Sequence, residues 1–158
     1  MSTTPIIAKE ELLKHWQGHR ALTRRVIEAF PEKELFEFSV AGMRPFSELA
    51  KELLSIAVPG LQGIVDRADE GYTEDGLGTI TTKEALLRQW DEHTPQIDAL
   101  FGRIPESDFH ETFNLFGQFN FPIIDNILYF IDNEIHHRGQ GYVYLRSLGI
   151  QPPFFWER

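Results

Sequence analysis

Asn133-Glu134-Ile135-His136-His137-Arg138-Gly139-Gln140 is the stretch of sequence on which the fold depends. It lies within a long segment of apolar residues at helical spacing, which begins at Pro122 and ends at Gly149. Residues four apart project from the same face of a helix, so Asn133 and His137 are neighbours on one face. The sequence therefore predicts a last helix with polar side chains at its middle.

Three earlier segments also carry apolar residues at three- and four-residue spacing, and they cover about residues 9–30, 45–65 and 84–104. Pro59 and Pro95 fall inside the second and third segments, where proline predicts a kink or a break. Four such segments without strand-like alternation predict an all-α protein, a four-helix bundle with long connections.

The connections and the tail are less regular. Thr81 and Glu84 have the spacing of a capping box before the third helix. Residues 105–121 form an aromatic-rich connection that fits either a turn of helix or a short extended piece. The aromatic C-terminal tail follows Pro152-Pro153, and we expect it to pack back on the bundle with its rings buried.

Composition limits the classes of function. The chain has 158 residues with 42% hydrophobic content, which suits one domain over residues 1–158. A net charge of −9 argues against direct binding of nucleic acid. There is no cysteine, and neither a leader peptide nor a membrane span is predicted, so we expect a cytoplasmic protein without membrane contact.

A second pair of histidines occurs in the first helix. His15 and His19 are also four residues apart, which is a spacing found in metal sites. No carboxylate or third histidine is identified beside them. We therefore expect two histidines at the surface or at the edge of the core.

Three stretches carry a resemblance to a known family: the motif 136–140, residues 144–153 and, further upstream, Arg44-Pro45-Phe46-Ser47-Glu48-Leu49. Together they resemble the DinB-like family. This resemblance implies a four-helix bundle, commonly a homodimer, with a divalent metal such as nickel or zinc held by three histidines. Some relatives are transferases or isomerases that use a low-molecular-weight thiol.

The histidine triad of the family is only partly present. His137 matches the last-helix histidine before Arg-Gly-Gln, whereas the other two positions are Asn133 and Glu52. The set His137, Glu52 and Asn133 has weaker ligands for zinc or nickel, and it favours manganese, magnesium or no metal at all.

Three functions remain open. The first is a metal-dependent, thiol-linked transferase or hydrolase of small molecules, and the second is a bundle that binds a small-molecule ligand. The third is a structural homodimer that has lost the metal site, and the sequence does not decide whether the protein is an enzyme. The residues predicted to bind a substrate are Gln140, Tyr144, Phe130 and Phe46.

Overall fold

A computed structural model describes residues 3–68 and 71–158, and most of these residues are helical. The long helices are α1 (Lys9–Ala29), α3 (Phe46–Asp66), α4 (Lys83–Gly102) and α5 (Ile123–Ser147), and the short helix α2 (Glu32–Glu37) follows α1. Both α1 and α3 pack against α4 and α5. The prediction of a mainly helical protein is confirmed. Among the described residues, no helix has the length and apolar character needed to cross a membrane.

The last helix has the boundaries that the sequence predicts. Pro122 precedes its first residue, at a position where no hydrogen bond of the helix needs a backbone N–H. At the other end Gly149 has a φ of +76°, and the N–H of Ile150 donates to the carbonyl of Leu145 at 2.9 Å. Because side chains strain this left-handed conformation, glycine suits the position.

Some predicted boundaries are wrong. The break considered at Pro59 does not occur: α3 and α4 run through Pro59 and Pro95, because continuous apolar faces on both sides of each proline hold the helices in the core. A kink at either proline stays a prediction. The cap of α4 is Thr82 rather than Thr81, since the Thr82 side chain accepts the N–H of Ala85 at 3.1 Å.

A β-hairpin follows α4 and a short 3-10 turn at Glu106–His110. Its strands β1 (Thr112–Leu115) and β2 (Phe119–Pro122) are antiparallel, with Leu115 opposite Phe119. The Asn126 amide donates to the carbonyls of Phe113 at 3.2 Å and Phe121 at 3.3 Å. Asn126 therefore ties the hairpin to the first turns of α5.

The core has two apolar halves with polar residues between them. One half, near the hairpin, includes Trp16, Phe101 and Phe130, and the other includes Phe30 and Trp90. Buried polar side chains lie between these halves along the helices, and we call them the central polar layer: His19, Arg20, Thr23, Ser55, His93, Glu134, His137 and Arg138.

The tail returns to α1, but its rings are not buried. Arg158 Nη1 lies 2.7 Å from His19 Nε2, and Arg25 Nη1 donates to the carbonyl of Glu157 at 2.9 Å. Residues 154, 155 and 156 are 47%, 64% and 62% exposed. The prediction that these rings join the core is therefore wrong, because the polar end of the tail makes these contacts with α1.

Candidate functional site

Glu52 and His137 meet between α3 and α5. Glu52 Oε1 lies 3.0 Å from His137 Nε2, and the two side chains are 18% and 8% exposed. Arg44, just before α3, donates to the other carboxylate oxygen of Glu52. Gln140, one turn along α5, has its Oε1 2.8 Å from His137 Nδ1. These contacts join two helices at the level of the central polar layer.

The hydrogen bonds indicate which atoms carry protons. The amide oxygen of Gln140 only accepts, so His137 Nδ1 donates. The hydrogen bond from His137, helped by Arg44, holds the pKa of Glu52 at about 2, so this carboxylate also accepts. Both ring nitrogens of His137 therefore donate. Burial lowers the pKa of His137, but the hydrogen bonds to Glu52 and Gln140 outweigh that effect and raise it.

Asn133 is not hydrogen-bonded to this group in the described chain. It lies one turn before His137, and its Nδ2 is buried without a hydrogen-bond partner in the described chain. It makes no hydrogen bond with Glu52 or His137 in this part of the chain. The structure thus brings Glu52 and His137 into contact, and the role of Asn133 as a metal ligand stays a prediction.

The other predicted substrate-binding residues are packed into the interior. Phe46 stacks on Phe30 with ring centroids 5.0 Å apart, and Phe130 contacts Trp16 at 5.7 Å. Tyr144 is fully buried, and its hydroxyl donates to the carbonyl of Arg44 at 2.9 Å. Tyr144 thereby helps to position the backbone of the arginine that contacts Glu52. Substrate binding by these residues and by Gln140 stays a prediction.

The donor set does not fit a zinc or nickel site well. Such an ion needs a deprotonated imidazole nitrogen and a free carboxylate oxygen, and in this structure both are used in hydrogen bonds. The positive charge of Arg44 also opposes a cation at Glu52. Within residues 3–68 and 71–158, no three His, Cys, Asp or Glu side chains are grouped to hold an ion.

Sequence reasoning missed the buried charges on the other side of α5. Glu134 and Arg138 are four residues apart, next to Asn133 and His137, and this spacing was the available signal. Burial raises the pKa of Glu134, whose Oε1 has no partner in the described chain, although the charge of Arg20 opposes the shift. Arg20 lies 4.4 Å from the Trp90 ring and donates to the carbonyl of that residue.

The prediction for His15 and His19 is wrong for one of the pair. His19 is buried, with its Nδ1 3.0 Å from Arg138 Nη2 and its Nε2 3.1 Å from His15 Nε2. Burial, together with the charges of Arg138, Arg158 and His15, lowers the pKa of His19 to about 4. The tail and α5 enclose this side chain, which the spacing within α1 does not reveal.

The fold and the end of the sequence are both similar to DinB-like proteins. Residues 125–157 match the sequence model of the DinB family. The crystal structure of a DinB-like protein from Bacillus cereus ATCC 10987 is similar, with a TM-score of 0.72, 19% identity, and coverage of 92% of this chain and 95% of that one.

A DinB-like protein from Bacillus subtilis gives a TM-score of 0.71 at 19% identity, covering 94% of this chain and 99% of that one. No curated protein sequence matches the chain. The resemblance drawn from the last helix is thus confirmed, over residues 125–157 by the family model and over nearly the whole chain by the fold.

Proposed function

We propose that this DinB-like protein is a non-catalytic, homodimeric small-molecule-binding protein in which an ion pair replaces the metal. The observation that carries the proposal is that His137 uses both ring nitrogens, and Glu52 both carboxylate oxygens, in contacts with other side chains. No lone pair of His137 is left to bind a metal or to accept a proton from a substrate.

The pair instead supports a stabilising role. Glu52 is on α3 and His137 is on α5, so their contact joins two long helices between the apolar halves of the core. Breaking a buried pair by removing one partner leaves an unpaired charge, which costs about 3–5 kcal/mol in typical proteins. The pair links α3 to α5, as a metal ion bound between the same two helices would.

A metal-dependent transferase or hydrolase is the second candidate, and one distance favours it. Two ligand atoms at right angles, each about 2.1 Å from one ion, are about 3.0 Å apart. Glu52 Oε1 and His137 Nε2 have a separation of 3.0 Å. For an ion to bind there, His137 has to lose a proton and Arg44 has to leave its position on Glu52.

Calorimetric titration with zinc and with manganese distinguishes these candidates. We expect the untagged protein to bind neither ion more tightly than about 100 μM, because protons and Arg44 compete for the ligands. Stoichiometric binding at about 1 μM would instead support the metal-dependent candidate.

A variant with a rebuilt site is the positive control. Glu52→His followed by Asn133→His supplies the two missing imidazoles of the family's triad. Zinc affinity should rise at least about tenfold at each step, equivalent to about 1.4 kcal/mol. His137→Ala in this double variant should abolish the gain. If the double variant binds zinc no better than the parent, the three side chains do not converge and the site is not an altered triad.

A further inference from the structure

A cavity of about 370 Å³ lies between α5 and the C-terminal tail, on a different side of α5 from Glu52. Arg138, Gly139, Tyr142 and Arg146 line it from the helix, and the aromatic residues 154–156 line it from the tail. Its volume is in the range of small-molecule sites, which are mostly apolar with a few polar groups.

The cavity carries positive charge in an acidic protein. Two arginines line it and no carboxylate does, although the chain has a net charge of −9. The guanidinium of Arg146 makes no ion pair within the described residues. Arg138 donates to His19 and Thr23, and the nearby Glu134 raises the pKa of Arg138 against the effect of burial, so the unbalanced charge of the lining is that of Arg146. A lining with unbalanced positive charge favours an anionic ligand.

The hydroxyl of Tyr142 is a second sign of a missing acceptor. It is buried and has no hydrogen-bond partner in the described chain. Burial raises the pKa of Tyr142, while the charges of Arg138, Arg25 and Arg146 oppose that shift. Leaving a buried hydroxyl unpaired is unfavourable, and an anionic oxygen is the acceptor that suits these charges.

The tail supplies aromatic surface beside these charges. Phe154 and Trp156 are stacked with centroids 4.9 Å apart and an interplanar angle of 13°, and both rings are exposed. Flat apolar rings stack favourably on such surfaces.

We propose that this cavity binds a small aromatic carboxylate, with its ring against the tail aromatics and its carboxylate toward Arg146 and Tyr142. The proposal goes beyond the proposed function, because it assigns a binding site on the tail side of α5 and holds whether or not Glu52 and His137 bind a metal.

The probe is 1-naphthoate, titrated into the full chain by calorimetry and by ¹H–¹⁵N NMR. Trp156 is exposed, whereas Trp16 and Trp90 are buried. Naphthoate should therefore shift the indole N–H signal of Trp156, assigned with Trp156→Phe, and leave the other two signals in place. The neutral 1-naphthalenemethanol should bind at least about tenfold more weakly, because it lacks the charge.

Two variants with matched controls locate the site. A Cβ at Gly139 meets no atom within 4 Å, so Gly139→Leu should fill the cavity and abolish binding, whereas Gly102→Leu, also in open space, should not. Arg146→Ala should weaken binding about tenfold, and Arg103→Ala, at the far end of α4, should leave it unchanged.

Three results would overturn the proposal. One is no binding at millimolar naphthoate, and another is equal binding of the neutral analogue. The third is unchanged binding by Gly139→Leu, which would place the ligand elsewhere. If naphthoate fails to bind while Gly139→Leu dissociates an oligomer, the tail face is an interface between copies of the chain instead.

Discussion

The buried His93 allows a test of how one histidine affects the pH dependence of stability. Burial, reinforced by the charge of Arg20, lowers its pKa from 6.5 to about 4. Between those values the unfolded chain binds a proton at this histidine that the folded chain does not, so stability falls as the pH falls. One such proton changes the free energy of unfolding by up to about 1.4 kcal/mol per pH unit. His93→Gln should remove this contribution.

Urea unfolding from about pH 7 to about pH 5 measures the effect as the parent's stability minus the variant's. This difference should decrease toward acid pH. Glu52, with a pKa of about 2, contributes stability that is lost only below about pH 4.5, and therefore outside this range. His136→Gln, at an exposed position on α5, is the control. A difference independent of pH would show that His93 is protonated to the same extent in both states.

The candidate site could be predicted only in part at the level of residues. The resemblance to the family located His137 and Glu52, which indeed meet at 3.0 Å. Arg44 was not predicted as a partner of Glu52, because its side chain reaches that carboxylate from a segment before the helix. The spacing of residues along a helix indicates which of them share a face. It does not indicate which side chain from a neighbouring connection contacts that face.

At the scale of elements, two glycines of α5 should respond in opposite ways to the same substitution. A Cβ at Gly141 would lie 2.6 Å from the Phe46 ring, whereas a Cβ at Gly139 meets nothing within 4 Å. Gly139→Ala should stabilise the protein by up to about 1 kcal/mol through helix propensity. Gly141→Ala gains the same helix propensity, but crowding in a packed core typically costs about 1–3 kcal/mol. This substitution should therefore be net destabilising.

Urea unfolding of both variants at neutral pH provides the comparison, because each is the other's control on one helix. A stabilised Gly141→Ala variant would mean that the Phe46 ring moves aside without cost. In that case the close approach of α3 and α5 does not depend on glycine.

Helix positions were predictable because the apolar spacing records which face is buried. The ends of α1 and α5 agree with the sequence for this reason, as their flanking Pro31, Pro122 and Gly149 act locally. The short helix α2 and the hairpin were not predicted from the sequence. The hairpin depends on contacts such as those of Asn126, which lies 13 residues along the chain from Phe113.

At the scale of the whole molecule, the central polar layer between the two apolar halves of the core is the feature that could not be predicted from the sequence. Its members come from α1, α3, α4 and α5, and the spacing within any one helix does not show that they lie at the same level. Only packing aligns them at one level. Buried polar groups of this kind fix how helices align, because a shift along the axis would leave them unpaired.

Association of two copies is the last prediction. Ile6, Ile7, Ile124 and Leu128 form an apolar surface around a cavity of about 380 Å³, with Lys9 and Glu106 at its edge. An apolar centre with a polar rim is typical of protein interfaces.

We expect Leu128→Glu to convert the dimer to an 18.3 kDa monomer in sedimentation at micromolar concentration, because the carboxylate would be desolvated at the contact. Val143→Glu, also exposed and about 22 Å further along α5, should leave the dimer intact. A parent protein that sediments only as the monomer would refute dimerisation, and a dimer that persists in Leu128→Glu would place the interface elsewhere.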